Sequence, residues 1–145
     1  MILETRARYF GYTDSVQVAI LLQEDDCTSA AEKLRLGTVE VLHGNTTMFT
    51  DTFEAKHRVM WFEDENYDTP EDRGLFYFFL HHPPVKQNMN VRVSVVLSDN
   101  RTARQKVAID VAQDMDNGAW QNARPAQREA PAFEENPAFP YRDKV

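Results

Sequence analysis

A chain of 145 residues with 42% apolar, 11% aromatic and 27% charged side chains has the composition of one ordinary globular domain, and excludes collagen-like, coiled-coil and wholly disordered architectures. At that length it buries roughly two thirds of its unfolded surface without needing metals or disulfides. Sixteen basic against 23 acidic residues leave a formal charge of −7, which repels phosphate backbones and disfavours nucleic acid as a partner.

Cys27 is the only cysteine, so an intramolecular disulfide and a zinc site built from several thiolates are both ruled out. The start, Met1 to Tyr12, mixes acidic and basic side chains without the apolar stretch of a signal peptide. No run approaches the roughly 18 apolar residues of a membrane span. The expectation is a protein made in the cytoplasm that does not cross a membrane.

In chain order, the first strong signal is period two. Val16, Val18, Ile20 and Leu22 alternate with Gln17, Ala19, Leu21 and Gln23, which predicts a strand with one buried face. Glu24, Asp25 and Asp26 then form an acidic turn. Ser29-Ala30-Ala31-Glu32 has capping-box spacing, and Gly37 stands where a helix would stop. A helix of about two turns fits there, and so do strands flanking Gly37 through Leu34, Leu36, Val39 and Val41. Gly44-Asn45 between Val39–His43 and Thr46–Phe49 signals a hairpin. Phe53, Ala55, His57, Val59 and Trp61 share one face of what reads as a single amphipathic strand. Leu75 to Leu80, LFYFFL, is apolar on both faces and bounded by Gly74 and Pro83, the pattern of a central strand. Val91, Val93, Val95 and Leu97 alternate, as do Val107, Ile109 and Val111 after a polar loop, predicting a closing hairpin. A helix competes over 102–115, where Ala103, Val107, Val111 and Met115 are four apart.

Six or seven short strands joined by Gly, Asn, Asp and Pro turns predict a mainly β domain over 1–120. The expected architecture is an antiparallel β-sandwich, immunoglobulin-like or jelly-roll-like, with at most one or two short helices. The pair over 91–112 resembles the last hairpin of immunoglobulin-like domains, without the cysteine pair and central tryptophan of antibody domains.

Residues 121–145 differ in kind. They hold Pro125, Pro131, Pro137 and Pro140, no glycine, and equal numbers of acidic and basic side chains, so neither helix nor sheet is expected to run through them. The near-repeat Pro131-Ala132-Phe133 and Pro137-Ala138-Phe139, followed by Pro140-Tyr141, places aromatic rings along a stiffened extended chain. Such rings suit docking into pockets of a partner. Trp120, Pro131, Phe133, Pro137, Phe139, Pro140 and Tyr141 are therefore the candidate partner-binding residues, with Trp120 as a latch between domain and arm.

Other candidates are weaker. Asp64-x-Asn66-x-Asp68 resembles the opening of a calcium loop, but Thr69, Pro70 and Leu75 occupy positions that need glycine and glutamate. His81 and His82 are neighbours on a strand and point to opposite faces, while His43 and His57 lie elsewhere. Cys27 beside Asp25 and Asp26 lacks a basic activator. No nucleophile elbow, phosphate loop or dinucleotide fingerprint occurs. No catalytic residue, cofactor or metal is expected. These features imply a non-enzymatic structural subunit of a larger assembly, of the kind found as decoration, head-tail or capsid-associated proteins of phage virions, docking on neighbouring subunits through its C-terminal arm. The alternative is an acidic binding or inhibitory module, immunity-type, directed at a basic protein.

Overall fold

The computed structural model describes residues 1–11, 13–62, 70–83, 88–111 and 133–135. They form ten strands: β1 (Ile2–Phe10), β2 (Ser15–Gln23), β3 (Leu34–His43), β4 (Thr46–Phe53), β5 (Arg58–Phe62), β6 (Pro70–His81), β7 (Met89–Leu97), β8 (Thr102–Ala108), β9 (Asp110–Val111) and β10 (Phe133–Glu135). One sheet runs β10-β6-β2-β1-β9 with β5 also on β6; the other runs β4-β3-β7-β8. All pairs are antiparallel except β1 with β9. The two sheets pack as the expected β-sandwich.

The core lies between the two sheets. Val16, Val18, Ile20 and Leu22 of β2 and Phe76, Phe78 and Leu80 of β6 face Val39 and Val41 of β3 and Val91, Val93, Val95 and Leu97 of β7, all buried. Alternation in sequence becomes one buried row per strand, since successive side chains point to opposite faces. The closing hairpin forms with β8 paired along β7 from Thr102, so the strand reading prevails over the helix there.

Two expectations are corrected. Residues 29–36 hold no two-turn helix: a single 3-10 turn, Ala31–Lys33, leads directly into β3. Ser29 Oγ accepts the Ala31 N–H at 3.1 Å, a local turn that never propagates. Gly37 is buried in β3 opposite Phe53, where a side chain would meet the Phe53 ring, 2.6 Å from Cε2 and closer to Cε1 and Cζ. It is glycine to admit that ring and not to stop a helix. The run Phe53 to Trp61 is not one strand. Phe53 ends β4 in the four-stranded sheet, a 3-10 turn Ala55–His57 crosses the layers, and β5 joins β6 in the other sheet. The turn closes locally: the Glu54 N–H donates to His57 Nδ1 and the His57 N–H to the Glu54 carbonyl, both at 2.9 Å. Strand β1, which the sequence analysis did not anticipate, pairs along the whole of β2.

Candidate functional site: the outer edge of β6

Strand β6 is the longest, and its two edges are used differently. Its inner edge pairs with β2 from Leu75 to His81. Its outer edge is shared end to end by two distant segments. β5 pairs over Pro70–Phe76, and β10 pairs over Phe78–Leu80, with Phe133 opposite Leu80 and Glu135 opposite Phe78. The first triplet of the proline-aromatic near-repeat therefore ends in a strand added to a sheet edge. This is β-strand addition, in which backbone hydrogen bonds supply the affinity.

The LFYFFL run explains why this strand can sit mid-sheet. Phe76, Phe78 and Leu80 face the core, where Phe53 packs edge-on to Phe76 at 5.0 Å between centroids and lies 5.5 Å from Phe78. The other face carries Leu75, Tyr77 and Phe79, followed by His81. Tyr77 and Phe79 are 5.6 Å apart edge to face, and Phe79 stacks on His81 at 6.2 Å. Phe79 is only 5% exposed, so the outer row is an aromatic ladder and not a solvated polar face. The Tyr77 hydroxyl donates to Gln17 Oε1 at 2.9 Å.

At the end of this ladder the chain builds a polar corner. The Tyr9 hydroxyl donates to Asp14 Oδ1 at 2.9 Å, and His82 Nδ1 lies 3.2 Å from Asp14 Oδ2. The His82 N–H also donates to the Asp14 carbonyl at 2.8 Å. Asp14 and His82 both have positive φ, 48° and 54°, a conformation that costs a non-glycine residue on the order of 1 kcal/mol. Burial, and then the hydrogen bond and charge of Asp14, push the Tyr9 phenol up to about 12, so it stays protonated and acts as a donor. Behind it, Thr13 and Ser15 share a buried hydroxyl contact at 2.8 Å. With Ser15 only 1% exposed, no substrate reaches that hydroxyl. The corner ties the ends of β1, β2 and β6 together; it does not form a nucleophile with its base.

The remaining sequence candidates are dispersed. His57 sits in the crossing turn with its ring 6.3 Å from Phe78, and the His81 and His82 rings are 6.4 Å apart. His43 is exposed at the end of β3. Cys27 is an exposed free thiol at a positive-φ turn position. Of the acidic segment 63–72, Glu71 pairs with Arg73 at 3.2 Å and Asp72 with Arg58 Nε at 3.0 Å; residues 63–69 lie outside the described residues. Among the described residues no three His, Cys, Asp or Glu side chains gather as metal ligands. Among the described residues no helix is long and apolar enough to cross a membrane. Of the proposed partner-binding residues, the structure brings the Phe133 backbone onto β6. Trp120, Pro131, Pro137, Phe139, Pro140 and Tyr141 lie outside the described residues. Sequence alone did not signal the groove of about 520 Å³ beside β1, lined among others by Arg6, Arg8, Gln17 and Tyr77; its one trace there is the pair Arg6 and Arg8, which share a face of β1 as residues two apart in a strand.

No family model and no curated protein matches the chain. A crystal structure of an engineered protein matches with a TM-score of 0.41 at 12% identity, covering 77% of this chain. This chain spans a fifth of the length of that one, 20%.

Proposed function

We propose that the chain is a non-enzymatic structural subunit of a larger protein assembly, connecting to neighbouring copies or partner subunits through its C-terminal arm. The observation that carries this reading is the antiparallel pairing of Phe133–Glu135 with the outer edge of β6. Edge pairing uses backbone atoms alone, so the same hydrogen bonds form whether the arm belongs to the same chain or to its neighbour.

The reach of the arm allows pairing with a neighbour as well as with its own sheet. β9 and β10 sit at opposite edges of one sheet, about 19 Å apart at roughly 4.8 Å per strand. Residues 112–132 span up to about 70 Å at roughly 3.3 Å each. That slack permits exchange of β10 between copies, a route to assembly that needs no new interface. A virion-associated role, as a decoration, head-tail or capsid-associated protein, is the finer form of the proposal, and it rests on the architecture of a compact β-sandwich with an aromatic arm.

The test removes residues 133–145 in one variant, which deletes the β10 backbone, replaces Phe133, Phe139 and Tyr141 together by alanine in another, and compares native mass spectra and melting curves with those of the full chain. The assembled fraction is expected to fall while the melting temperature of the sandwich stays nearly unchanged. If assembly and stability are both unaffected, or if the wild-type chain is a monomer at every concentration, the proposal fails.

A further inference from the structure

Strands β2 and β6 are apolar on the face turned away from the core as well as on the face turned towards it. Register sets Leu21 beside Leu75, Ala19 beside Tyr77 and Gln17 beside Phe79 on that outer face, and Val59 of β5 continues it beyond Leu75. In an antiparallel sandwich this is the face that usually meets water and carries polar side chains. Val59 and Phe79 are nevertheless 1% and 5% exposed, although neither belongs to the core between the sheets. All the described strands lie in the two sheets, so none of them lies over this face. An apolar sheet face of this kind marks a docking surface.

The pairing of β10 identifies what is brought to it. β10 runs from Phe133 opposite Leu80 to Glu135 opposite Phe78. Two residues farther along β6 the same edge is taken by β5, with Arg58 opposite Phe76, so the arm cannot continue as an edge strand. The sequence at that point is Asn136-Pro137-Ala138-Phe139-Pro140-Tyr141, and Pro137 lacks the N–H that a ladder needs. The inner side is closed by Phe76 and Phe78, both buried in the core, and the nearest apolar surface left is the outer face. Phe139 is four residues past Glu135, a reach of up to about 13 Å. β2 lies two strand spacings from β10, about 10 Å. Of the longer segments outside the described residues, 63–69 holds four carboxylates and 112–132 a single aromatic, Trp120, so residues 137–141 are the ones chemically matched to an apolar face.

We propose that residues 137–141 fold over the outer face of β6 and β2, seating Phe139 and Tyr141 against Leu21, Leu75 and Tyr77. This rests on the reading of the arm as the connecting segment and gives the arm its receptor: the chain that adds β10 to a sheet also covers the outer face of that sheet. Two prolines limit the entropy lost on docking, and aromatic rings bury a large apolar area each and pack edge to face on a tyrosine ring.

The experiment uses the full chain with Cys27→Ser, adding Ala138→Cys together with Ala19→Cys on the outer face of β2, or with Thr50→Cys on the outer face of the other sheet as the control. Under mild oxidation the Ala19 combination is expected to cross-link at least about tenfold faster than the Thr50 combination, because a seated arm raises the local thiol concentration. Adding Phe139→Ala and Tyr141→Ala is expected to abolish that lead. A chain ending at Asn136, which keeps β10, is expected to bind anilinonaphthalene sulfonate with about threefold or greater gain in fluorescence as the face is bared. Equal cross-linking rates, a lead that survives loss of both rings, or unchanged dye binding by the shortened chain each overturns the proposal. Mass spectrometry of the cross-linked product separates this proposal from the assembly reading. A bridge found only within single chains of a monomeric protein supports the seat and refutes assembly, and an assembly that depends on the arm without the Ala19 lead refutes the seat alone.

Discussion

Gly37 offers the sharpest test of the packing argument. It is buried in β3 directly opposite Phe53, and a Cβ there would overlap the Phe53 ring. Phe53 is 1% exposed and wedged against Phe76 and Phe78, so it has no free volume to move into. Forcing in a methyl group costs about 1–3 kcal/mol by overpacking. Against that, alanine reduces the entropy of the unfolded chain and returns about 0.4–1 kcal/mol. Gly37→Ala is therefore expected to destabilise by about 1–2 kcal/mol, lowering the melting temperature by roughly 2–4 °C per kcal/mol in a chain near this size. Phe53→Ala alone costs about 3–5 kcal/mol. In that background the obstruction is gone, and Gly37→Ala should become neutral or stabilising by up to about 1 kcal/mol. Urea unfolding followed by far-ultraviolet circular dichroism, run on all four proteins, yields the coupling directly. If Gly37→Ala costs the same with and without the Phe53 ring, the proposed contact is not the reason for the glycine.

Other outcomes follow from the same reasoning. Gly74 has φ +73° and a Cβ there would run into the Leu22 carbonyl, with the carbonyl carbon at 3.0 Å, whereas Gly44 has φ +63° and open space around it. Gly44→Ala should cost only the left-handed penalty of about 1–2 kcal/mol, and Gly74→Ala distinctly more, read as the difference in their urea midpoints. The hydrogen bonds from Arg101 and Lys33 hold Glu24 down to about 2, so its folded value lies below the unfolded one. Its contribution is fully present above about pH 4.5 and is lost as pH falls towards 2; the decline of melting temperature over that window should be shallower in Glu24→Gln. Burial and Asp14 push the Tyr9 phenol up to about 12, so ultraviolet titration of Tyr9→Phe should lack a tyrosine step that the wild type shows near pH 12.

Alternation made β2, β7 and β8 readable, because in each one row is more deeply buried than the other: buried against half-buried in β2 and β7, half-buried against exposed in β8. It failed at β1, whose inward row includes Thr5 and Ala7, too small or too polar to stand out against Glu4, Arg6 and Arg8. It misled between Phe53 and Val59 for a different reason. Both are buried, and the 3-10 turn between them preserves their parity, but one is buried from each sheet. Period two reports that a position is buried and not which layer buries it. The β6 edge was beyond reading, since strand addition is made by backbone groups that every residue carries. Composition singled out the arm, and neither composition nor periodicity carries information about which edge Phe133 meets.

The shared outer edge of β6 also has a consequence in time. Phe78–Leu80 leave the ribosome about fifty residues before the segment that covers them, which at about 5–20 residues per second is roughly 3–10 s of synthesis. Strand pairing even in slow β-proteins takes milliseconds to seconds, so β1, β2 and β6 are in place while that stretch of edge is still bare. Each nascent chain thus presents a template for a strand that it has not yet made.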